Sequence, residues 1–274
     1  MNGLFELMLS RYDIGSAKAK RNATLEVMQE VTLAGLQRGG FFKKAAFYGG
    51  TCLRIFHGLQ RFSEDMDFTL LSKDSMFQIE DYFPAIITEF KSLGRDVEII
   101  KKDIKNFGKV ESAFLKDNTE VYNLQFQTEK TYKIKIEVDT QPPLGFTTES
   151  KLLLNPFSFM TRCLTLPDLY AGKMHALLYR NWGKRVKGRD WYDFEWYVRN
   201  GIKLDFNHLQ QRALEFNGIT LTKENFLEEL RSKFSSADIE MVKQDVRPFL
   251  LYPQELEIWS NDYFVQLSER IRFK

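Results

Sequence analysis

The hydrophobic pattern changes period several times along the chain. Leu25, Met28, Val31, Thr32 and Leu36 recur at three and four within residues 16–38, and Gly39-Gly40 follows, so this stretch reads as a helix with a glycine stop. A short strand at 45–48 meets Gly49-Gly50, and a helical stretch at 52–58 comes next. Residues 62–71 switch to period two, with Met66, Phe68 and Leu70 on one face and Asp65, Asp67 and Thr69 on the other. A helix fits 77–93, with Pro84 as its start or a kink. Strands fit 96–104, 111–115, 121–127 and 132–139, with turns at 116–119 and 128–130. The run QPPLGF at 141–146 stops the sheet.

From about residue 155 helical patterns dominate, at 166–180 (Pro167 in the first turn), 190–199, 222–234, 237–249 and 254–271. The pattern therefore predicts an α+β chain. Residues 1–155 form a core with a mixed or antiparallel sheet, an N-terminal helix and flanking helices, and residues 156–274 form a helical domain.

Composition narrows this little. Of 274 residues, 43% are apolar and 28% charged, the usual balance for a soluble globular chain. Net charge is +2, so a polyanionic partner has to be met by a local basic patch. Cys52 and Cys163 lie far apart and His57, His175 and His208 are scattered, which leaves no zinc-ligand spacing. Few cysteines and no expected signal peptide point to the cytoplasm. No apolar run approaches the roughly 20 residues of a membrane span.

The chemistry concentrates in a few stretches. On a strand, Asp65 and Asp67 project to one side, as a pair of carboxylates sharing divalent ions would; the alternative is a solvated strand face. Gly49-Gly50-Thr51 stands one short helix upstream. Glycines let backbone approach a phosphate, a helix start offers N–H groups, and Thr51 adds a hydroxyl. In TYKIKIEVDT, Lys133, Lys135, Glu137 and Asp139 share a face, so Glu137 or Asp139 would complete the acidic set if the strands are neighbours. The alternative there is ion pairing with the lysines.

Lys173 falls inside the apolar arc of its helix, between Leu169 and Leu177. Either its stem snorkels to solvent or its ammonium reaches a nucleotide phosphate. Arg180, Lys184, Arg185, Lys187 and Arg189 fall within ten residues among Tyr179, Trp182 and Trp191, which suits a phosphate backbone with stacked bases. Asp190 and Asp193 follow at a helix start, where the dipole alone would favour them.

Taken in order, GGTCLR (49–54), RFSEDMDF (61–68), KIEVDTQPPLGF (135–146), AGKMHALLYR (171–180) and VKGRDWYDFEWY (186–197) resemble the AbiEii/AbiGii toxin family of nucleotidyltransferases, within the DNA polymerase β-like superfamily. The resemblance runs over about residues 45–200. It implies a nucleotidyltransferase core followed by a helical domain that brings Lys173 and a basic loop to the reaction. It also implies transfer of a nucleotide from an NTP with two Mg²⁺ ions, or Mn²⁺ in their place. Asp65 and Asp67 match the family's metal-binding pair, with Ser63 in the same motif. Glu137 holds the third acidic strand position, with Asp139 competing. Lys173 matches the lysine near the phosphates, and Asp190 and Asp193 match the acidic positions of an R-D-x-Y-D pattern. Gly49, Gly50, Thr51, Arg185 and Arg189 join the expected nucleotide and acceptor contacts. The pair Gly50-Thr51 stands where the wider superfamily often has Gly-Ser, and the hydroxyl is kept.

Family members serve type IV toxin–antitoxin and phage-defence systems, and some modify the acceptor end of tRNA. The resemblance thus implies an NTP substrate, an RNA acceptor and a cognate antitoxin. Three alternatives stand beside it: a non-catalytic nucleotide- or RNA-binding module, nucleotidylation of a protein, and a glycosyltransferase. The last would need a doubly wound βαβ pattern around D-x-D, which is not seen.

Overall fold

A computed structural model describes residues 3–101, 119–127, 132–180 and 186–274. The expected strand at 111–115, most of both expected turns, and Trp182, Lys184 and Arg185 of the basic loop lie outside these residues.

Helix α1 (Leu4–Leu9) precedes α2 (Ala17–Arg38), which starts where the Ser16 side chain accepts the Ala19 N–H at 3.1 Å. Residues 23–36 of α2 are all buried except the half-buried Glu26, so this helix is sunk in its unit and not laid on its surface. Gly35 makes that possible. A Cβ there would stand 2.6 Å from the Ile86 Cα, so only glycine lets α4 (Phe83–Ser92) pack this closely. The expected helix at 77–93 is a 3₁₀ turn, Ile79–Tyr82, followed by α4 with Pro84 in its first turn.

Among the described residues the sheet has seven strands: β1 (Ala45–Tyr48), β2 (Asp65–Leu70), β3 (Val97–Lys101), β4 (Thr119–Phe126), β5 (Lys133–Asp139), β6 (Thr148–Leu153) and β7 (Phe159–Leu164). Their spatial order is β3-β4-β5-β2-β1-β7-β6. β2 runs parallel to β5 and antiparallel to β1, β1 runs parallel to β7, and β4 is antiparallel to both β3 and β5. The chain is α+β, as its pattern predicts.

Three expectations are corrected. QPPLGF does not end the sheet: β6 and β7 follow it, and β7 lies past residue 155. Thr119, expected in a turn, begins β4. The helix expected at 254–271 is a 3₁₀ segment, Pro253–Ile258, then α10 (Asn261–Ser268). Ser260 separates the two with extended backbone and caps the Tyr263 N–H.

The described chain divides into two compact units. The first takes Met1–His57, Ser63–Pro142 and Thr148–Cys163; the second takes Gly58–Phe62, Pro143–Thr147 and Leu164–Lys274. In the second unit lie α5 (Leu166–Tyr179), α6 (Gly188–Arg199), α7 (Phe206–Asn217), α8 (Lys223–Ser236) and α9 (Ile239–Val246), besides α10. Helix α7 was not expected, although Asp205 caps its start and Gly218 ends it in the left-handed conformation. Trp191, Phe194, Phe234, Phe264 and Trp259 stack edge-on and tilted as the core of this unit. Gly188 opens α6 because a Cβ there would meet the Val242 carbonyl at 2.1 Å.

Candidate active site

In the first unit the acidic face is built by register. β2 pairs with β5 so that Asp65 lies opposite Lys135, Asp67 opposite Glu137, and Thr69 opposite Asp139. Met66, Phe68 and Leu70 are buried on the other face, which fixes the strand and leaves the aspartates on the acidic side. Glu137 is therefore the acid across from Asp67. Asp139 stands one pleat further on, where its Oδ1 accepts the Gln141 N–H at 3.1 Å.

The glycine turn meets the same carboxylate. β1 runs straight into α3 (Gly49–His57), so the glycines are the first turn of the helix, where a loop was expected before residue 52. Gly49 has φ +81°, and a Cβ on it would fall 2.1 Å from the Asp67 Oδ2. Glycine is thus required twice over, for its dihedral and for the approach of Asp67. Thr51 is fully buried, and its hydroxyl donates to the Asp65 carbonyl oxygen. Its side chain braces β2 in this structure, where a phosphate contact was expected. Gln29 of α2 extends the brace, donating from Nε2 to the carbonyls of Ser63 (2.9 Å) and Glu64 (3.3 Å). No local pattern marks Gln29, since its partners lie more than thirty residues away.

A cation already sits on these acids. Lys135 Nζ is 2.6 Å from Glu137 Oε1 and 3.8 Å from Asp65 Oδ2. Burial works against the ammonium charge, but Asp65 and Glu137 outweigh it and raise the Lys135 pKa. The three side chains stay partly open, with 28% of Lys135, 21% of Glu137 and 35% of Asp65 exposed. Among the described residues no group of three or more His, Cys, Asp and Glu is drawn together enough to grip an ion as it stands. The donor chemistry nonetheless fits a hard divalent cation: three carboxylates, all oxygen, facing one way and holding a positive charge.

The second unit holds a different network. Arg61 grips Asp193 through Nε and Nη2, both at 2.6 Å. Lys173 Nζ then reaches Asp193 at 2.8 Å and Asp190 at 2.7 Å. Here 3% of Arg61, 0% of Asp193 and 5% of Asp190 are exposed. Burial alone would raise both carboxyls. Lys173, Lys187 and Arg180 overcome it at Asp190, and Arg61 and Lys173 at Asp193, holding both below the usual carboxylate range. So Lys173 neither snorkels freely nor stands alone, and the two aspartates do more than favour a dipole. Burial lowers Lys187 to about 8 although Asp190 pulls the other way. Arg189 lies over the Phe249 ring at 4.2 Å. No local pattern singles out Arg61, although it opens the RFSEDMDF motif. Its partner lies 132 residues on, beyond any local signal.

With this geometry in hand, the comparisons are specific. The family described as nucleotidyl transferase AbiEii toxin, type IV toxin–antitoxin system, matches residues 31–265. In fold the chain is similar to MenT4, a nucleotidyltransferase toxin from Mycobacterium tuberculosis, with TM-score 0.55 and 15% identity over 96% of this chain and 94% of that one. It is also similar to JHP933 from Helicobacter pylori, with TM-score 0.50 and 15% identity over 90% of this chain and 88% of that one. No curated protein matches. Among the described residues no helix is long and apolar enough to cross a membrane.

Proposed function

Because the chain belongs to the AbiEii family of nucleotidyl transferase toxins and is a nucleotidyltransferase, we propose that it moves a nucleoside monophosphate from an NTP to a hydroxyl of RNA, at the acceptor end of tRNA. Asp65, Asp67 and Glu137 would hold Mg²⁺, with Asp139 beside them. When bound, such an ion supplies positive charge against the triphosphate and makes the attacking hydroxyl easier to deprotonate.

The chain's own groups do the rest. The first turn of α3 presents N–H groups that its own helix leaves unused, and Gly49 and Gly50 let phosphate oxygens come close to them. Thr51 and Gln29 hold the backbone of β2 and its approach, with Ser63 in that approach, so that Asp65 and Asp67 keep their aim. The acceptor oxygen forms a bond to the α-phosphorus as the bond to the bridging pyrophosphate oxygen breaks, and a carboxylate of the acidic face takes the hydroxyl proton. Lys173, steadied by Asp190 and Asp193, offsets charge that builds on the leaving pyrophosphate. Arg185 and Arg189 hold the RNA or the NTP. The reaction so read belongs in the cytoplasm, where NTP and tRNA are at hand, and a cognate antitoxin would restrain it.

The observation that carries this reading is the register of Asp67 with Glu137, together with the fit of Asp67 against Gly49. The test is incubation with Mg²⁺, each α-labelled NTP in turn, total RNA and total protein. Label in RNA that Asp67→Ala abolishes is the expected result. Label in protein instead would reassign the acceptor, and equal labelling by both enzymes would end the proposal.

A further inference from the structure

Lys135 has no part in the reaction just described, yet it touches two of its carboxylates. Asp65, Asp67 and Glu137 bring three negative charges to one face of the sheet and Lys135 brings one positive charge. Of the four groups, a net charge of two minus remains, the complement of one divalent ion. We infer that Lys135 is a built-in counter-cation: it holds the carboxylates together in the metal-free protein and leaves Glu137 when a divalent ion arrives.

Three observations support this. First, the ammonium serves two acids and is not committed to one, at 2.6 Å from Glu137 and 3.8 Å from Asp65. Second, the side chains involved are partly open to solvent, and such pairs are weak and readily exchanged. Third, Ile134, Ile136 and Val138 are buried on the opposite face of β5, so the backbone stays put and only the flexible lysine stem has to move. A residue meant to seal the face would be better served by arginine, whose planar fork grips a carboxylate in two places. This inference rests on the metal reading of the acidic face, so the experiment separates the two.

Mn²⁺ is titrated into the metal-free full chain and followed by electron paramagnetic resonance, for the wild type, Lys135→Met and Lys135→Arg. The methionine variant keeps the stem and loses the charge. It should bind Mn²⁺ about fivefold more tightly, melt lower in EDTA, and gain more than the wild type when Mg²⁺ is added. The arginine variant should bind Mn²⁺ more weakly. A methionine variant that binds Mn²⁺ no more tightly than wild type, or that responds to Mg²⁺ as wild type does, overturns the inference and leaves the metal reading intact. A wild type that binds no Mn²⁺ overturns both.

Discussion

The two units carry two ion clusters of opposite design. On β2 and β5, three carboxylates share one ammonium and stay partly exposed. Around α5 and α6, Arg61 and Lys173 pair with Asp190 and Asp193, Lys187 and Arg180 add positive charge at Asp190, and both carboxylates are sealed from solvent. A sealed and paired cluster costs a great deal to break, because a lone buried charge has neither water nor partner. An open and unbalanced one is held at little cost and attracts a counter-ion. The difference separates carboxylates already committed to buried partners from carboxylates poised to bind a ligand.

Breaking the sealed cluster should have the largest effect. Asp193→Ala leaves Arg61 buried without its carboxylate and should cost about 3–5 kcal/mol. In a chain of this size that is a fall in Tm of roughly 10 °C or more, read by calorimetry.

Acid should unsettle the second unit next. His208 is only 1% exposed, and burial, with Arg212 adding to it, lowers its pKa to about 4. Unfolded, it would titrate near 6.5. The folded value is the lower one, so the contribution is complete above about pH 6.5 and is lost as pH falls toward 4. The full loss is about 3 kcal/mol. Melting curves at pH 7, 5.5 and 4.5 should fall less steeply for His208→Gln than for wild type; parallel curves would contradict this.

Gly49→Ala tests the join between the glycine turn and the acidic face in the first unit. The left-handed dihedral alone should cost about 1–2 kcal/mol, and the new Cβ must push the Asp67 carboxylate aside. Transfer should therefore fall by far more than stability, which a paired melt and NTP assay would show.

Glu137→Gln should have the smallest effect on folding, under about 1 kcal/mol, because its ion pair is partly open to solvent. It should still reduce transfer on the order of a hundredfold and raise the Mg²⁺ needed. Asp139→Asn, opposite Thr69, should do so much less.

How much of this was legible follows from the range of each interaction. The period-two run from Asp65 to Leu70 gave the strand and its acidic face directly, since the burial of Met66, Phe68 and Leu70 is local information. The strand TESKLL was not seen because it lies at an edge of the sheet, alternates exposed and half-buried positions, and buries nothing fully. The start of α3 was misplaced because two glycines read as a loop. Here the helix starts on them so that Asp67 fits against Gly49. The acidic residues proposed for the site stand out by type and spacing. Their supports (Gln29, Thr51 and Arg61) were missed or given another task, since each acts on a segment far along the chain.

The comparison is tested most directly by melting and assaying Asp67→Asn and Asp193→Asn side by side, with Mg²⁺ and α-labelled NTP. Asp67→Asn should melt within about 2–4 °C of wild type and transfer no label, while Asp193→Asn should lose much of its melting temperature. An Asp67→Asn enzyme that folds and labels its acceptor as wild type does would contradict it.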